Sequence, residues 1–593
     1  MRIAAVEIEQ CRPEKCDNLC IRVCPVERTK PETIVIDKTT GKAKIDEDLC
    51  IGCGICVNKC PFSAISVLNL PDGWSASVVH KYPTSGFVLF WLPTPKSGSV
   101  LGVIGKNGAG KTTALRILSG ELIPNLGSDN KTERSVVEFF RGKELQRYFS
   151  ELYLGRLRVA VKPQYLDQLR TDQTVKEYLG EKSDKTLLDA FSLEGVLSRR
   201  LNELSGGELQ KVAIVKTMQT EAEAYFFDEP ASFLDVKDRL IMSKAIRRLA
   251  SLGKYVVVVE HDLVVLDYLA DYITIVYGEP GAYGYVSNYY GVRNGINYML
   301  LGYLPDINMR LRSNQIVFYK HAAKEFIKTE EAFSWKAMSV SYENGFKLTI
   351  QPGTAYKGKV VGILGENGLG KTTFIKQIHS VLSSEYYKGR KLAVSYKPQT
   401  LRPNFEGTVE QLFELRKEVL DDEVYITDVY EPLRIKKLSQ KSVKELSGGE
   451  LQRVAVAFNL AIPADIHLLD EPSAYLDVEE RLAVSKAIRR TVENRGKVAF
   501  VIDHDLAMID YVSDYLIVVE GTPGVRGNVN PPTSLKDGLN QFLHRVNMTF
   551  RRDAETGRPR ANKEDSFLDR QQKSIGEYFY ESSIEEPSAE TSS

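Results

Sequence analysis

Beyond residue 60 the chain has no cysteine; the eight it possesses all fall before that point in 593 residues. The opening segment MRIAAVEIEQ lacks the apolar stretch of an export signal. Clustered cysteines without such a signal argue against disulfides and for metal ligation in a reducing, cytoplasmic setting. Long apolar runs are also missing. The longest, such as Phe87–Leu92 and Val256–Val259, fall far short of the ~20 residues that cross a bilayer. Net charge is absent, with 78 basic and 78 acidic residues, so contact with nucleic acid requires local patches. Apolar content of 43% and charged content of 26% are those of a folded globular protein. The length allows about four domains.

What is present is a repeat. Gly105-Lys106-Asn107-Gly108-Ala109-Gly110-Lys111-Thr112-Thr113 recurs as Gly365-Glu366-Asn367-Gly368-Leu369-Gly370-Lys371-Thr372-Thr373. LSGGE occurs at Leu204–Glu208 and Leu446–Glu450, DEP at Asp228–Pro230 and Asp470–Pro472, and KPQ at Lys162–Gln164 and Lys397–Gln399. His261 and His504 stand in matching places. From the LSGGE serine to the DEP aspartate is 23 residues in both halves, whereas P-loop lysine to KPQ glutamine is 53 residues in one and 28 in the other. The first half thus carries an insertion of 25 residues near 130–155. Leu145, Tyr148, Phe149 and Leu152 share a helical face there, which predicts a helix-loop-helix. Its basic edge (Arg141, Lys143, Arg147) leaves open both a partner site and a self-packed surface insertion.

Each P-loop follows an apolar strand and opens a helical pattern, the context that lets backbone N–H groups cradle phosphates. Lys111 and Lys371 are expected to reach the β- and γ-phosphates, and Thr112 and Thr372 to ligate Mg²⁺. Asp228 and Asp470 end buried strands and suit the metal. Glu229 and Glu471 suit the activation of an attacking water. The histidines read as γ-phosphate sensors, and LSGGE as an anion-binding helix start.

Over roughly residues 75–520 these motifs resemble the ATP-binding-cassette ATPases. The resemblance implies two cassettes paired head to tail, each ATP held between the P-loop of one and the LSGGE of the other. One site would combine Lys111, Gln164, Asp228, Glu229 and His261 with Ser447 and Gly449. The other would combine Lys371, Gln399, Asp470, Glu471 and His504 with Ser205 and Gly207. Gln164 and Gln399 join the magnesium ligands, and Asp235 and Asp477 match the family's D-loop. Tyr82, Phe87, Tyr342 and Phe346 are candidates to stack on adenine.

Cys50, Cys53, Cys56 and Cys60 follow the C-x2-C-x2-C-x3-C-P spacing that holds [4Fe–4S] clusters in bacterial ferredoxins. Cys11, Cys16, Cys20 and Cys24 form a looser set, also followed by proline. Two structural zinc sites are the alternative. Resemblance to a βαββαβ ferredoxin implies exchange of the fourth ligand. Cys24 would then join Cys50, Cys53 and Cys56, and Cys60 would join Cys11, Cys16 and Cys20. No flavin or NAD motif accompanies them, which favours a rigid structural domain over electron transfer.

The combination resembles the E subfamily of ATP-binding-cassette proteins, the ribosome-recycling or RNase L inhibitor family. Further residues that carry the likeness are Tyr277–Gly284, Val292–Asn297 and Thr549–Arg560. The implied fold is multidomain α/β. It comprises a ferredoxin-like domain (1–73), a first cassette (74–278), a hinge segment (279–325), a second cassette (326–521), a second hinge segment (522–580) and a disordered acidic tail (581–593). The implied function is ATP-driven splitting of ribosomes after termination or rescue. Expected partners are the ribosomal subunits, chiefly the small subunit and its rRNA, and a release factor or its stalled-ribosome paralogue. A membrane is not expected, and the chain is expected to act as a monomer. Eight basic residues between Arg545 and Lys573 suit either rRNA phosphates or a salt-bridged hinge. A redox-gated ATPase subunit of an electron-transfer or transport complex is the alternative function.

Overall fold

The computed structural model describes residues 2–580, less 7–10, 38–40, 47–48, 63, 70–77, 84–85, 128–131, 181–182, 313–314, 317, 319–329, 344, 385 and 388. The expected acidic tail lies outside the described residues. Among the described residues, no helix is long and apolar enough to cross a membrane.

The N-terminal domain pairs strand Arg2–Val6 antiparallel with Ile65–Asn69, and Ile34–Ile36 with Ala43–Ile45. Short helices Leu19–Val23 and Ile55–Lys59 carry Cys20 and Cys56 into its small core, and helix Pro13–Cys16 ends on the half-buried Cys16.

The two cassettes repeat one topology. In the first, the sheet runs Val78–Lys81, Val88–Phe90, Tyr283–Gly291, Tyr272–Glu279, Ser99–Gly105, Tyr255–Val259, Ala224–Asp228, Val159–Lys162. In the second, the equivalent order is Met338–Ser341, Lys347–Ile350, Arg526–Val529, Tyr515–Thr522, Lys359–Leu364, Val498–Ile502, Ile466–Asp470, Val394–Lys397. The last five strands of each order are parallel. Helices cover both faces, so these strands are buried on both sides and read as apolar runs. The strand before the P-loop, the strand before the histidine and the strand ending in Asp-Glu are consecutive neighbours. Their carboxyl ends therefore deliver the motifs to one crevice, where open α/β sheets bind ligands.

The structure corrects both expected inner cassette boundaries. The first sheet continues past residue 278 through the hairpin Tyr272–Gly291, and the second past 521 through the hairpin Tyr515–Val529. In each, the returning strand pairs with the sheet's outer part. The insertion holds helices Glu133–Phe139 and Glu144–Tyr153, with Leu145, Tyr148 and Phe149 buried in the first cassette's core.

The basic C-terminal segment contacts both cassettes. Arg558, fully buried, pairs with Asp267 of the helix Leu263–Leu269, and Arg560 joins it at 3.3 Å. Arg552 makes a bidentate pair, at 2.8 and 2.9 Å, with Asp510 of the second cassette's helix Leu506–Val512. Asn297, on helix Val292–Leu301, donates to Asp553 at 3.0 Å and Glu555 at 2.9 Å. Arg552, Arg558 and Arg560 are thus salt-bridged to the cassettes.

Candidate nucleotide and iron–sulfur sites

Each P-loop lysine turns back over its own loop. Lys111 Nζ donates to the carbonyls of Gly105 (3.0 Å) and Lys106 (2.8 Å), and Lys371 Nζ to those of Gly365 (2.7 Å) and Glu366 (2.9 Å). Burial lowers the pKa of both, with nearby carboxylates opposing. Gly108, Gly110, Gly368 and Gly370 have positive φ, the backbone that turns successive N–H groups inward and that glycine adopts most readily. Thr113 and Thr373 follow within the helices Lys111–Leu118 and Lys371–Ser384.

Thr112 Oγ1 donates to Asp228 Oδ2 at 3.0 Å and Thr372 Oγ1 to Asp470 Oδ2 at 2.8 Å. The other oxygen of each carboxylate is buried and accepts no hydrogen bond. A bare carboxylate oxygen beside a threonine hydroxyl fits a hard cation such as Mg²⁺. Burial, with Glu229 adjacent, raises the Asp228 pKa to about 6; Asp470 is raised for the same first reason. A contribution missed in the sequence comes from the KPQ lysines. Lys162 Nζ donates to the Asp228 carbonyl (3.0 Å), and Lys397 Nζ to those of Asp470 (2.8 Å) and Glu471 (2.9 Å). They brace the strand ends from beneath.

Glu229 and Glu471 have φ of +46° and +48°, unusual for a side chain with a Cβ and a feature of strained functional sites. His261 Nε2 lies 3.7 Å from Glu229 Oε1 and His504 Nε2 3.4 Å from Glu471 Oε1. Burial holds the His261 pKa well below its ordinary value, aided by Lys111 and Arg481. Burial pushes Glu471 up, but His504, Lys371 and Lys397 outweigh it and the net shift is downward. Gln399 donates to Glu471 at 2.8 Å; among the described residues Gln164 has no such bond to Glu229.

The cassettes meet across these sites. Asn107 N donates to Asp477 Oδ2 at 3.0 Å, and Asn367 N to Asp235 Oδ2 at 2.7 Å. Ser205 and Ser447 cap their helices through reciprocal bonds with Glu208 and Glu450. A Cβ built on Gly207 would stand 4.0 Å from Asn367 Nδ2, and one on Gly449 3.9 Å from Asn107 Nδ2. Each LSGGE thus faces the opposite P-loop. Phe87 and Phe346 are buried, their rings under Gly110 and Gly370, while Tyr342 is exposed and Tyr82 half-buried.

The cysteines gather in two fours. Cys11 and Cys20 lie near Cys16 and Cys60, and Cys56 lies near Cys50, Cys53 and Cys24. Burial raises the thiol pKa of Cys20 and of Cys56 to about 11, so a bound cation is what would make them thiolates. Backbone N–H groups of Ala4 and Gly52 donate to Cys50 Sγ (3.3 and 3.4 Å), and that of Ala64 to Cys60 Sγ (3.3 Å). Such donors steady ligating sulfurs. Among the described residues, no three His, Cys, Asp or Glu close on a single metal ion.

The ABC transporter family model matches residues 94–232 and 352–474, the 4Fe-4S binding domain matches 43–66, and a possible Fer4-like domain of RNase L inhibitor matches 1–31. The Saccharomyces cerevisiae translation initiation factor RLI1 is 44% identical over 600 residues, 98% of this chain and 98% of that protein. In a model of ribosome-bound archaeal Pelota and ABCE1, one chain is 50% identical, with a TM-score of 0.91 over 98% of this chain and 99% of its own. The crystal structure of archaeal ribosomal stalk protein aP1 with archaeal ribosome recycling factor aABCE1 gives 49% identity and a TM-score of 0.81, covering 86% of this chain and 100% of that one. With an iron–sulfur-binding N-terminus ahead of two ATP-hydrolysing cassettes, the chain belongs to the E family of ABC proteins, the RNase L inhibitor family.

Proposed function

We propose that this protein splits ribosomes into subunits after termination or rescue, using ATP-driven closure of its two cassettes to move the iron–sulfur domain. The observation that carries the reading is reciprocal: each P-loop is hydrogen-bonded to the other cassette's D-loop aspartate. ATP bound at one cassette is thereby felt by both. The ribosome-bound and recycling relatives support the target. The partners would be the ribosomal subunits, chiefly the small subunit and its rRNA, together with a release factor or its stalled-ribosome paralogue.

In this mechanism ATP draws Lys111 and Lys371 from the loop carbonyls onto the β- and γ-phosphates. Ser447 with Gly449, and Ser205 with Gly207, close on the γ-phosphate from across the interface. Glu229 and Glu471 orient and deprotonate the attacking water, and His261 and His504 hold the γ-phosphate. Thr112, Gln164 and Asp228, and Thr372, Gln399 and Asp470, would hold Mg²⁺, which when bound neutralises charge developing on the phosphates. The two cysteine fours would hold one [4Fe–4S] cluster each and stiffen the domain. Hydrolysis reopens the cassettes and releases the small subunit.

Purified protein with ATP and a release factor should convert whole ribosomes to subunits on a sucrose gradient. Ribosomes that stay whole overturn the proposal. Cys53→Ser should bleach the brown colour, spare ATP binding and abolish splitting; splitting by the bleached protein would rule out the lever.

A further inference from the structure

The P-loop residue after the first glycine differs in sign between the halves: Lys106 in one, Glu366 in the other. So does the residue two positions after each D-loop aspartate: Lys237 in one, Glu479 in the other. The fold brings these together crosswise. Lys106 Nζ lies 3.2 Å from Glu479 Oε2, and Lys237 Nζ 3.1 Å from Glu366 Oε2. Each acid is also gripped by a hinge arginine. Arg312, from the first hinge segment, meets Glu479 Oε1 at 2.6 Å, and Arg545, at the end of helix Leu535–Arg545, meets Glu366 Oε1 at 3.1 Å. The two acids are largely buried, with side-chain exposures of 19% and 9%. Both arginines are anchored besides, Arg312 on the Leu300 carbonyl (2.8 Å) and Arg545 on that of Gly521 (2.7 Å).

We infer that these triads are two site-specific latches: Lys106–Glu479–Arg312 holds the Lys111 site closed, and Lys237–Glu366–Arg545 holds the Lys371 site closed. Each hinge segment thus answers to one ATP site. Half-buried, charge-assisted pairs of this kind are worth more than surface ones because water screens them less. The reversed polarity also selects the pairing. Like cassettes set face to face would put Lys106 against Lys237, or Glu366 against Glu479, and repel. The D-loop aspartates are alike in the two halves and carry no such sign. Arg312, Arg545, Lys237 and Glu479 are positioning residues, acting on the nucleotide only through closure.

The test uses the full-length, cluster-loaded chain and a fluorescent non-hydrolysable ATP analogue with Mg²⁺. Lys371→Ala leaves only the Lys111 site to bind, and Lys111→Ala only the other. Glu479→Gln should speed analogue release from the Lys111 site about tenfold and change release from the Lys371 site less than twofold. Lys237→Met, at a more exposed position and so tolerant of change, should do the reverse. Arg312→Met and Arg545→Met should each quicken release about threefold at their own site alone. Joined with Lys106→Met, Glu479→Gln should release no faster than the faster single variant. Single effects that multiply, or a hinge variant that loosens both sites equally, would overturn the assignment.

Discussion

At the residue scale, chemistry concentrates where backbone and charge are under constraint. Glu471 is held at positive φ, its net pKa shift is downward, and Gln399 donates to it. A group kept ionised and aimed is what a general base needs. Glu471→Gln is therefore expected to slow hydrolysis at the Lys371 site by roughly 10² or more while ATP remains bound, as single-turnover quench and nucleotide retention would show. Asp228 behaves oppositely. With its pKa raised to about 6 from the ordinary 3.8, it takes a proton as pH falls below that value. Magnesium affinity at the Lys111 site should then weaken about tenfold per pH unit below 6, since metal and proton compete for one carboxylate. Titrating Mg²⁺ against a bound fluorescent nucleotide between pH 5 and 7 would check this. In metal-free protein the same shift destabilises the fold as pH rises from about 4 to about 6, because the charged form is the one burial disfavours. Both carboxylates were legible in the sequence because the repeat marked them twice and their chemistry suits a metal and a water. The KPQ repeat marked Lys162 and Lys397 as well, but their bracing role was not legible, because backbone carbonyls leave no trace in the sequence to show what a lysine donates to.

At the scale of elements, the returning strands Tyr283–Gly291 and Arg526–Val529 press on the P-loops. A Cβ on Gly284 would stand 1.9 Å from the Ala109 carbonyl oxygen, and one on Gly527 2.1 Å from that of Leu369. Nothing short of moving the loop relieves such an overlap. Gly284→Ala should lower nucleotide affinity at the Lys111 site at least tenfold, and overpacking of this kind costs ~1–3 kcal/mol of stability; equilibrium titration and chemical denaturation read the two effects. Expected boundaries at 278 and 521 cut these same hairpins. In the sequence, Tyr277–Gly284 reads as inter-cassette on the family resemblance, with the boundary at 278. Only pairing with Val88–Phe90 and Lys347–Ile350, about 200 residues away in each cassette, shows that the strand after the turn belongs to the sheet. The insertion was easier, since its helical face lies within one short segment.

At the scale of the whole molecule, Arg558 is the joint. It sits fully buried against Asp267, 291 residues away in sequence, while Arg552, six residues before it, holds Asp510. Breaking a buried ion pair by removing one member costs ~3–5 kcal/mol. Arg558→Met is expected to separate the thermal unfolding of the cassettes into two calorimetric transitions where the unaltered chain shows more cooperative melting. Charge counting could not find this joint, because a buried arginine and a phosphate-binding one look alike until their partners are known.

That joint has a kinetic consequence. Two cassettes carried on one chain and fastened through its hinge segments meet at an effective concentration on the order of millimolar, whatever the concentration of the protein itself. Closure is then a first-order event. At saturating nucleotide, the fraction of molecules closed should be the same at nanomolar as at micromolar protein, so the machine runs undiminished when each copy works alone.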